Sequence, residues 1–289
     1  VNLHLTAAIA DVLGSPITDA RPVRGGDIND AYAVDLADGR RVFVKTHTRP
    51  VPGMYRCEHA GLEWLDEAQA LRVPQRYAAH DDESGAAFLA LEWIEPGTPA
   101  ADFDEHLGRG LAHLHRKGAE GFGLAYDNFI GSLPQHNTPA ATWAEFYGQC
   151  RLLPQFERAT AGGIMPHEVR TGLEHLLARL PEFVGAPEPA ARLHGDLWNG
   201  NVHCDAAGQP CLIDPAVYGG HREVDLAMLQ LFGLPGPRFF AAYDEAYPLA
   251  RDWQQRVPLY QLYPLLVHAN LFGASYIARV RRCVAEILR

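Results

Sequence analysis

Leu193-His194-Gly195-Asp196-Leu197-Trp198-Asn199-Gly200-Asn201, followed by Ile213-Asp214-Pro215, decides how this chain reads. Ala191-Arg192-Leu193 leads into it. Asn201-Val202-His203-Cys204 and Pro210-Cys211-Leu212-Ile213 are short apolar segments on either side of the turn signal Asp205-Ala206-Ala207-Gly208. That is a β-hairpin pattern. It would deliver Asp196, Asn201 and Asp214 to one edge of a site. Each piece alone is weak, because Asp after Gly is often only a turn residue and Asp-Pro often only ends a strand. The weight lies in their order and spacing.

An Asp, an Asn five residues on, and a second Asp at the end of the next strand is the phosphoryl-transfer arrangement of protein kinases. In that chemistry Asp196 would accept the proton of a substrate hydroxyl. Asn201 and Asp214 would hold Mg²⁺ on the nucleotide phosphates. Amide and carboxylate oxygens are hard ligands, and Mg²⁺ keeps several waters and uses few protein carboxylates.

Upstream, residues 3–13 place Leu3, Ala7, Ala10, Val12 and Leu13 near helical spacing, and Gly14-Ser15-Pro16 stops the helix. Strands are expected over 17–24, 31–36 and 41–45, with Asp38-Gly39 as a hairpin turn. Gly25 and Gly26 sit in the first connection, and Lys45 ends the third strand. Glycines there would let backbone N–H groups approach phosphates that Lys45 would neutralise. There is no GxxxxGK[ST], which disfavours a P-loop. A helix over 55–71 carries Glu58 one turn in, where it could pair with Lys45; Glu63 is the competing partner. Two more strands, 77–80 and 86–94, run into Glu95-Pro96-Gly97. That exit looks like a hinge, with backbone groups of Glu92 and Ile94 as candidates for an adenine edge.

Beyond the hinge, helices are expected over 102–117, 142–159, 167–180, from Val224, and over 237–247 and 253–289, with an irregular loop over 121–134. His113 and His115 cannot share one helix face for a metal. Asp225 is a candidate buried brace for the catalytic loop, or a plain first-turn Asp favoured by the helix dipole.

The length, 289 residues, allows one large domain or two lobes. With 47% apolar and 21% charged residues the composition is that of an ordinary globular protein. A net charge of -10 argues against broad nucleic-acid binding or an anionic membrane surface. Five scattered cysteines, with no CxxC or zinc spacing, point to reduced thiols, though Cys204 and Cys211 share the hairpin. No apolar run reaches transmembrane length and no signal peptide is visible, so the expectation is a cytoplasmic protein.

With these residues in view, the chain resembles the fructosamine kinase (ketosamine-3-kinase) family over essentially its whole length. The resemblance rests on Leu193 to Val202 and Ile213-Asp214-Pro215-Ala216, then Tyr218-Gly219, His221, Glu223 and Asp225-Leu226-Ala227. Leu259-Tyr260-Gln261-Leu262-Tyr263 and Asn270-Leu271-Phe272-Gly273 extend it. It implies an α+β, bilobal protein-kinase-like fold. Residues 1–93 would form a nucleotide-binding lobe with an antiparallel sheet, and 94–289 a mostly helical catalytic and substrate-binding lobe. It implies ATP and Mg²⁺ as cofactors, Asp196 as catalytic base, Asn201 and Asp214 as metal ligands, Lys45 on phosphates paired with Glu58, Gly25 and Gly26 in the nucleotide loop, a structural His194, and Trp198 against the sugar. The implied activity is phosphorylation of a sugar hydroxyl on a ketosamine, small or protein-bound, which makes the adduct labile and releases the amine. Some family members carry a cysteine in the nucleotide loop that permits redox-sensitive dimerisation. Arg24 to Asn29 contains none, and Asp27 puts a negative charge there instead. Oligomeric state is left open.

Two rivals stand beside this reading. One is a kinase for another small hydroxyl compound, such as an aminoglycoside, choline or a free sugar. The other is a nucleotide-binding pseudokinase, against which the intact set Lys45, Glu58, Asp196, Asn201 and Asp214 argues.

Overall fold

In a computed structural model, which describes residues 3–23, 29–81, 86–231, 233 and 235–289, the first stretch of chain builds a five-stranded antiparallel sheet. Its strands are β1 (Ile17–Val23), β2 (Asp30–Leu36), β3 (Arg41–Thr46), β4 (Arg76–Asp81) and β5 (Ala87–Glu92), in the order β1-β2-β3-β5-β4. Pro22 cannot donate to a ladder, and it lies on the edge strand β1 where that is tolerated. Inner strand β5 is buried along nearly its whole length. Gly39 has φ 88° in the β2–β3 turn, the left-handed conformation that an Asp-Gly hairpin needs.

Helix α1 (Leu3–Leu13) lies where the sequence predicts, and Leu13 is buried as expected, but the rest of its inward face is different. Leu5, Ile9 and Leu13 are buried in a cluster with Val34, Val42, Val44 and Phe88, while Ala7 and Val12 face out. Helix α2 (Met54–Asp66) buries Tyr55, Leu62 and Leu65. It ends five residues before the expected Leu71. Gln69 takes φ 50°, which turns the chain so that Arg72 can form a bridge with Cys211. Strand β5 likewise stops at Glu92 rather than Ile94.

The chain divides into two units. One is Val1–Phe103 together with His203–Asp214; the other is Asp104–Val202 together with Pro215–Arg289. In the first unit, the segment after β5 is sewn to the turn that ends in Gly208. Gly97 N–H donates to Cys204 O at 3.0 Å and Ala100 N–H to Gly208 O at 3.0 Å. A Cβ on Gly97 would sit 2.0 Å from Asp205 O, so only glycine permits this approach.

The second unit is mostly helical: α3 (Phe103–Lys117), α4 (Trp143–Phe146), α5 (Leu153–Ala161), α6 (His167–Ala178), α7 (Glu223–Leu231), α8 (Pro237–Ala246), α9 (Trp253–Phe272) and α10 (Ile277–Ile287). A π-helical turn, Tyr147–Leu152, joins α4 to α5. Pro154 has no N–H to give the Cys150 carbonyl, and that carbonyl accepts from Arg151 Nη1 at 2.9 Å. The expected continuous helix over 253–289 is interrupted at Gly273, whose φ of 101° ends α9. Within the expected loop 121–134 lies a small hairpin, β6 (Asn128–Ile130) with β7 (Leu133–Gln135). Strand β8 (Ala191–Leu193) pairs with β11 (Tyr218–Gly220); between them in sequence, β9 (Val202–Cys204) pairs with β10 (Pro210–Leu212), as the turn signal predicts. The core of this unit gathers Trp143, Tyr147, Leu176, Tyr260 and Leu266 with many others. A buried Arg256–Glu223 pair, at 2.7 and 2.8 Å, ties α9 to α7.

Candidate functional site

In the first unit the alternation of β3 turns Lys45 inward, where its side chain is only 7% exposed. Its Nζ lies 2.9 and 3.0 Å from the Glu58 carboxylate and 2.9 Å from Asp214 Oδ1. Glu58 is on the inner side of α2, whereas Glu63, the competing partner, is exposed. Burial pulls the Lys45 ammonium down, but Asp214 and Glu58 together hold it well above the usual lysine range. Burial pushes Glu58 up to about 7, with Lys45 pulling against it and Asp214 pushing with it. Asp214 has φ 54°, a left-handed conformation that costs an ordinary residue free energy. Such strain aims its carboxylate at Lys45 from the end of the hairpin.

At the end of β5 the Glu92 carboxylate binds Arg72 Nη2 at 2.7 Å and Gln75 N–H at 3.0 Å. The Glu92 N–H is donated to Gln75 O at 2.8 Å. That removes the Glu92 N–H from any ligand role, so the expected adenine contact there narrows to its carbonyl. Ile94 lies in irregular chain after the strand. Gly25, Gly26 and Asp27 lie outside the described residues. Cys204 and Cys211 are free thiols, so the hairpin carries no disulfide.

In the second unit, Asp196 opens the loop between β8 and the 3₁₀ turn Asn199–Asn201. Asn201 Nδ2 donates to Asp196 O at 2.8 Å and Asp196 Oδ2 at 3.2 Å. Two neighbours of Asp196 are gripped from below: Asp225 Oδ2 accepts His194 N–H at 2.8 Å and Oδ1 accepts Gly195 N–H at 3.0 Å. Asp225 is fully buried and its Oδ2 is also 3.2 Å from His115 Nε2. Of the sequence's two readings of Asp225, the structure takes the brace. His115 is buried and bonded while His113 is exposed, which separates the two as helix geometry requires. Trp198 is 37% exposed, with its ring over Gly200, where an added Cβ would fall 2.3 Å from the indole.

A cleft beside Asp196 is lined by Gly195, Ile130, Tyr263, Pro264 and His268 among others. Tyr263 stands in the C-terminal segment quoted for the resemblance, but nothing in the sequence marks it as lining this cleft. Nor does the sequence mark the buried amides Asn128, Gln135 and Asn137. Gln135 Nε2 donates to Ala216 O at 3.0 Å and Asn128 Nδ2 to Val217 O at 2.9 Å, supporting the chain just after Pro215. The one available signal was the pair of polar residues flanking the Gly131 turn.

Among the described residues no cluster of three or more His, Cys, Asp or Glu forms a metal cage, and no helix is long and apolar enough to cross a membrane. An amide oxygen such as that of Asn201 and a carboxylate such as that of Asp214 are the types of hard ligand that Mg²⁺ takes.

The chain matches the fructosamine kinase family over residues 3–289. It is 38% identical over 260 residues to a "Probable ketoamine kinase" of Enterococcus faecium, covering 90% of this chain and 91% of that one. It is 37% identical over 275 residues to a chloroplastic protein-ribulosamine 3-kinase of Oryza sativa subsp. japonica, covering 94% and 80%. A solved structure from Thermobifida fusca, provisionally named a fructosamine-3-kinase, superposes with a TM-score of 0.89 at 42% identity over 98% of each chain. Solved choline and aminoglycoside kinases, at 16% and 13% identity, share the fold alone. The α+β, kinase-like fold expected from the catalytic stretch is the fold observed, and the chain belongs to the fructosamine kinase family.

Proposed function

We propose that this protein transfers the γ-phosphoryl group of ATP to a sugar hydroxyl of a ketosamine, with Asp196 as the base. The observation that carries the nucleotide half is the buried Lys45, held between Glu58 and a backbone-strained Asp214. A lysine so fixed is a phosphate ligand whose entropy of ordering is met before the nucleotide arrives. Family membership carries the substrate half, with relatives named ketoamine and ribulosamine kinases.

Asp196 takes the proton of the sugar hydroxyl as that oxygen attacks phosphorus. Asn201 holds the base in place through its amide nitrogen. The Asn201 amide oxygen and the Asp214 carboxylate would hold Mg²⁺, which when bound neutralises charge on the phosphate oxygens. Lys45 offsets the charge of the same phosphates, and positioning supplies much of the rate enhancement. Gly25 and Gly26 would cover the phosphates, the Glu92 carbonyl and Ile94 backbone would meet the adenine, and the exposed face of Trp198 would lie against the sugar. Phosphate is a better leaving group than hydroxide, so the product adduct is labile and releases its amine.

Turnover of ATP with Mg²⁺ against ribulose-, erythrulose- and fructose-modified lysines, free and on protein, tests this, with kanamycin and choline as comparators. Phosphorylation of the sugar-lysines is the expected result. Turnover of a comparator alone would overturn the substrate class and keep the catalytic residues. Tight Mg-ATP binding with no turnover of any acceptor would favour a pseudokinase.

A further inference from the structure

Arg151 is fully buried, on the π-helical turn between α4 and α5. Its hydrogen-bond partners are all uncharged: His136 O at 2.6 Å and Cys150 O at 2.9 Å for Nη1, and Asn137 Oδ1 at 2.6 Å for Nη2. Among the described residues no carboxylate forms an ion pair with it, although Asp127 is near enough for its charge to be felt there. Its guanidinium instead lies over aromatic rings, 3.8 Å from the centroid of Tyr218, 4.6 Å from Phe146 and 5.5 Å from Tyr263. Burying a cation this way is costly, and an apolar side chain of similar length would fill the same space. Cation–π attraction and three hydrogen bonds offset that cost only in this geometry.

The Tyr218 ring connects that cation to the catalytic loop. Its Cε1 would be 3.2 Å from a Cβ on Gly195, the residue immediately before Asp196. Gly195 has φ 82°, and the same Cβ would meet Ala216 O at 2.0 Å. Ala216 O and the Tyr218 ring thus leave no room for a side chain at Gly195, and the path of the loop there is set against the edge of that ring. A second route runs through amides. Asn137 Nδ2 donates to Asn128 Oδ1 at 2.8 Å, as does Gln135 Nε2 at 2.8 Å. Gln135 Oε1 accepts Tyr263 Oη at 2.6 Å, and Tyr263 lines the cleft with Asp196.

We infer that Arg151 is a positioning residue for the phosphoryl-transfer base, setting Asp196 through the Tyr218 ring pressed on Gly195. The inference rests on Asp196 being the base. Arg151 touches neither substrate nor nucleotide in this account, so its loss lowers kcat and leaves both KM values in place.

The test compares Arg151→Met, Tyr218→Leu, Tyr218→Phe and the double variant Arg151→Met/Tyr218→Leu in steady-state turnover of a ribulose-modified lysine. Leu176→Ala, a core truncation elsewhere in the unit, controls for lost stability, with Tm recorded for each. Expected are at least a tenfold fall in kcat for Arg151→Met and for Tyr218→Leu, KM for ATP and acceptor within about twofold of wild type, and near-normal kcat for Tyr218→Phe. The double variant should fall no further than the worse single one, because both remove one contact. Folded Arg151→Met with near-normal kcat overturns the inference. So does a Leu176→Ala variant of matched Tm that loses as much kcat, or a Tyr218→Phe variant as impaired as Tyr218→Leu. If Arg151→Met does not fold, the two Tyr218 variants decide alone. Absence of turnover by the wild-type protein would count against the proposed activity, not against this coupling.

Discussion

Asp225 on α7 holds Gly195 by its backbone: the carboxylate accepts the Gly195 N–H at 3.0 Å and the preceding His194 N–H at 2.8 Å. Both donors are buried, and no other group can replace a carboxylate that accepts two adjacent amides. Removing it strands them, at ~1–3 kcal/mol for each. Asp225→Ala should therefore destabilise the protein by ~2–5 kcal/mol in urea unfolding. Asp225→Asn retains one acceptor and should lose less. Equal, small losses for both would refute the bracing role.

Asp196→Asn keeps the size of the side chain and removes its basicity. A positioned base is worth about 10²–10⁴ in rate. The variant should lose at least about a hundredfold in kcat while nucleotide affinity, read by titration calorimetry, stays within about threefold. Near-normal turnover would sink the assignment.

Lys45→Met leaves Glu58 and Asp214 without their shared cation. Mg-ATP affinity should fall at least about tenfold, as it should for Asp214→Ala in magnesium titrations. The sign of the pH effect follows from Glu58. Its folded-state value is raised to about 7, so the folded protein binds more protons than the unfolded chain between about 4.5 and 7, and this group lowers stability as pH rises through that window. Without Lys45 the value rises further. Tm of the variant should therefore drop more between pH 6 and 8 than that of wild type. Parallel Tm profiles would count against the coupling.

His221 stacks on Tyr260 at 5.4 Å and 17°, with burial pulling it down to about 4 despite Glu188 nearby. A depressed folded value means stability present above about 6.5 and lost as pH falls toward 4. Between pH 7 and 5 this is ~2 kcal/mol. His221→Phe keeps a ring against Tyr260 and should lose that much less between pH 7 and 5 in urea unfolding. An unchanged difference between the two pH values would rule His221 out as the source.

The Lys45–Glu58 pair is legible in sequence because two local rules meet. Strand alternation places Lys45 at the inner end of β3, and helix spacing places Glu58 within the first turns of α2. The face of α1 was not legible. Ala7, Ala10 and Leu13 share helical spacing, as Leu5, Ile9 and Leu13 do, and the larger Leu5 and Ile9 fill the space under the sheet together with Leu13. The Arg151 network was not legible either. Nothing local distinguishes a buried arginine from an exposed one, and its partners lie just after β7, on β11 and on α9.

By itself the sequence located the five strands of the first sheet, the β9–β10 hairpin and the Lys45–Glu58 pair, and it singled out Asp196, Asn201 and Asp214 as candidates for the chemistry. Those follow from short-range physics: backbone periodicity, turn residues, and which oxygens and amines suit phosphate chemistry. Tertiary structure alone decided that Glu92 spends its N–H on Gln75, that Asp225 braces the loop, and that Arg151 sits on Tyr218 beneath it. The reason is burial. Whether a polar group is exposed or must find a partner depends on residues far away in the chain, and a hydrogen bond or a stacked cation gains its strength only once water has been excluded.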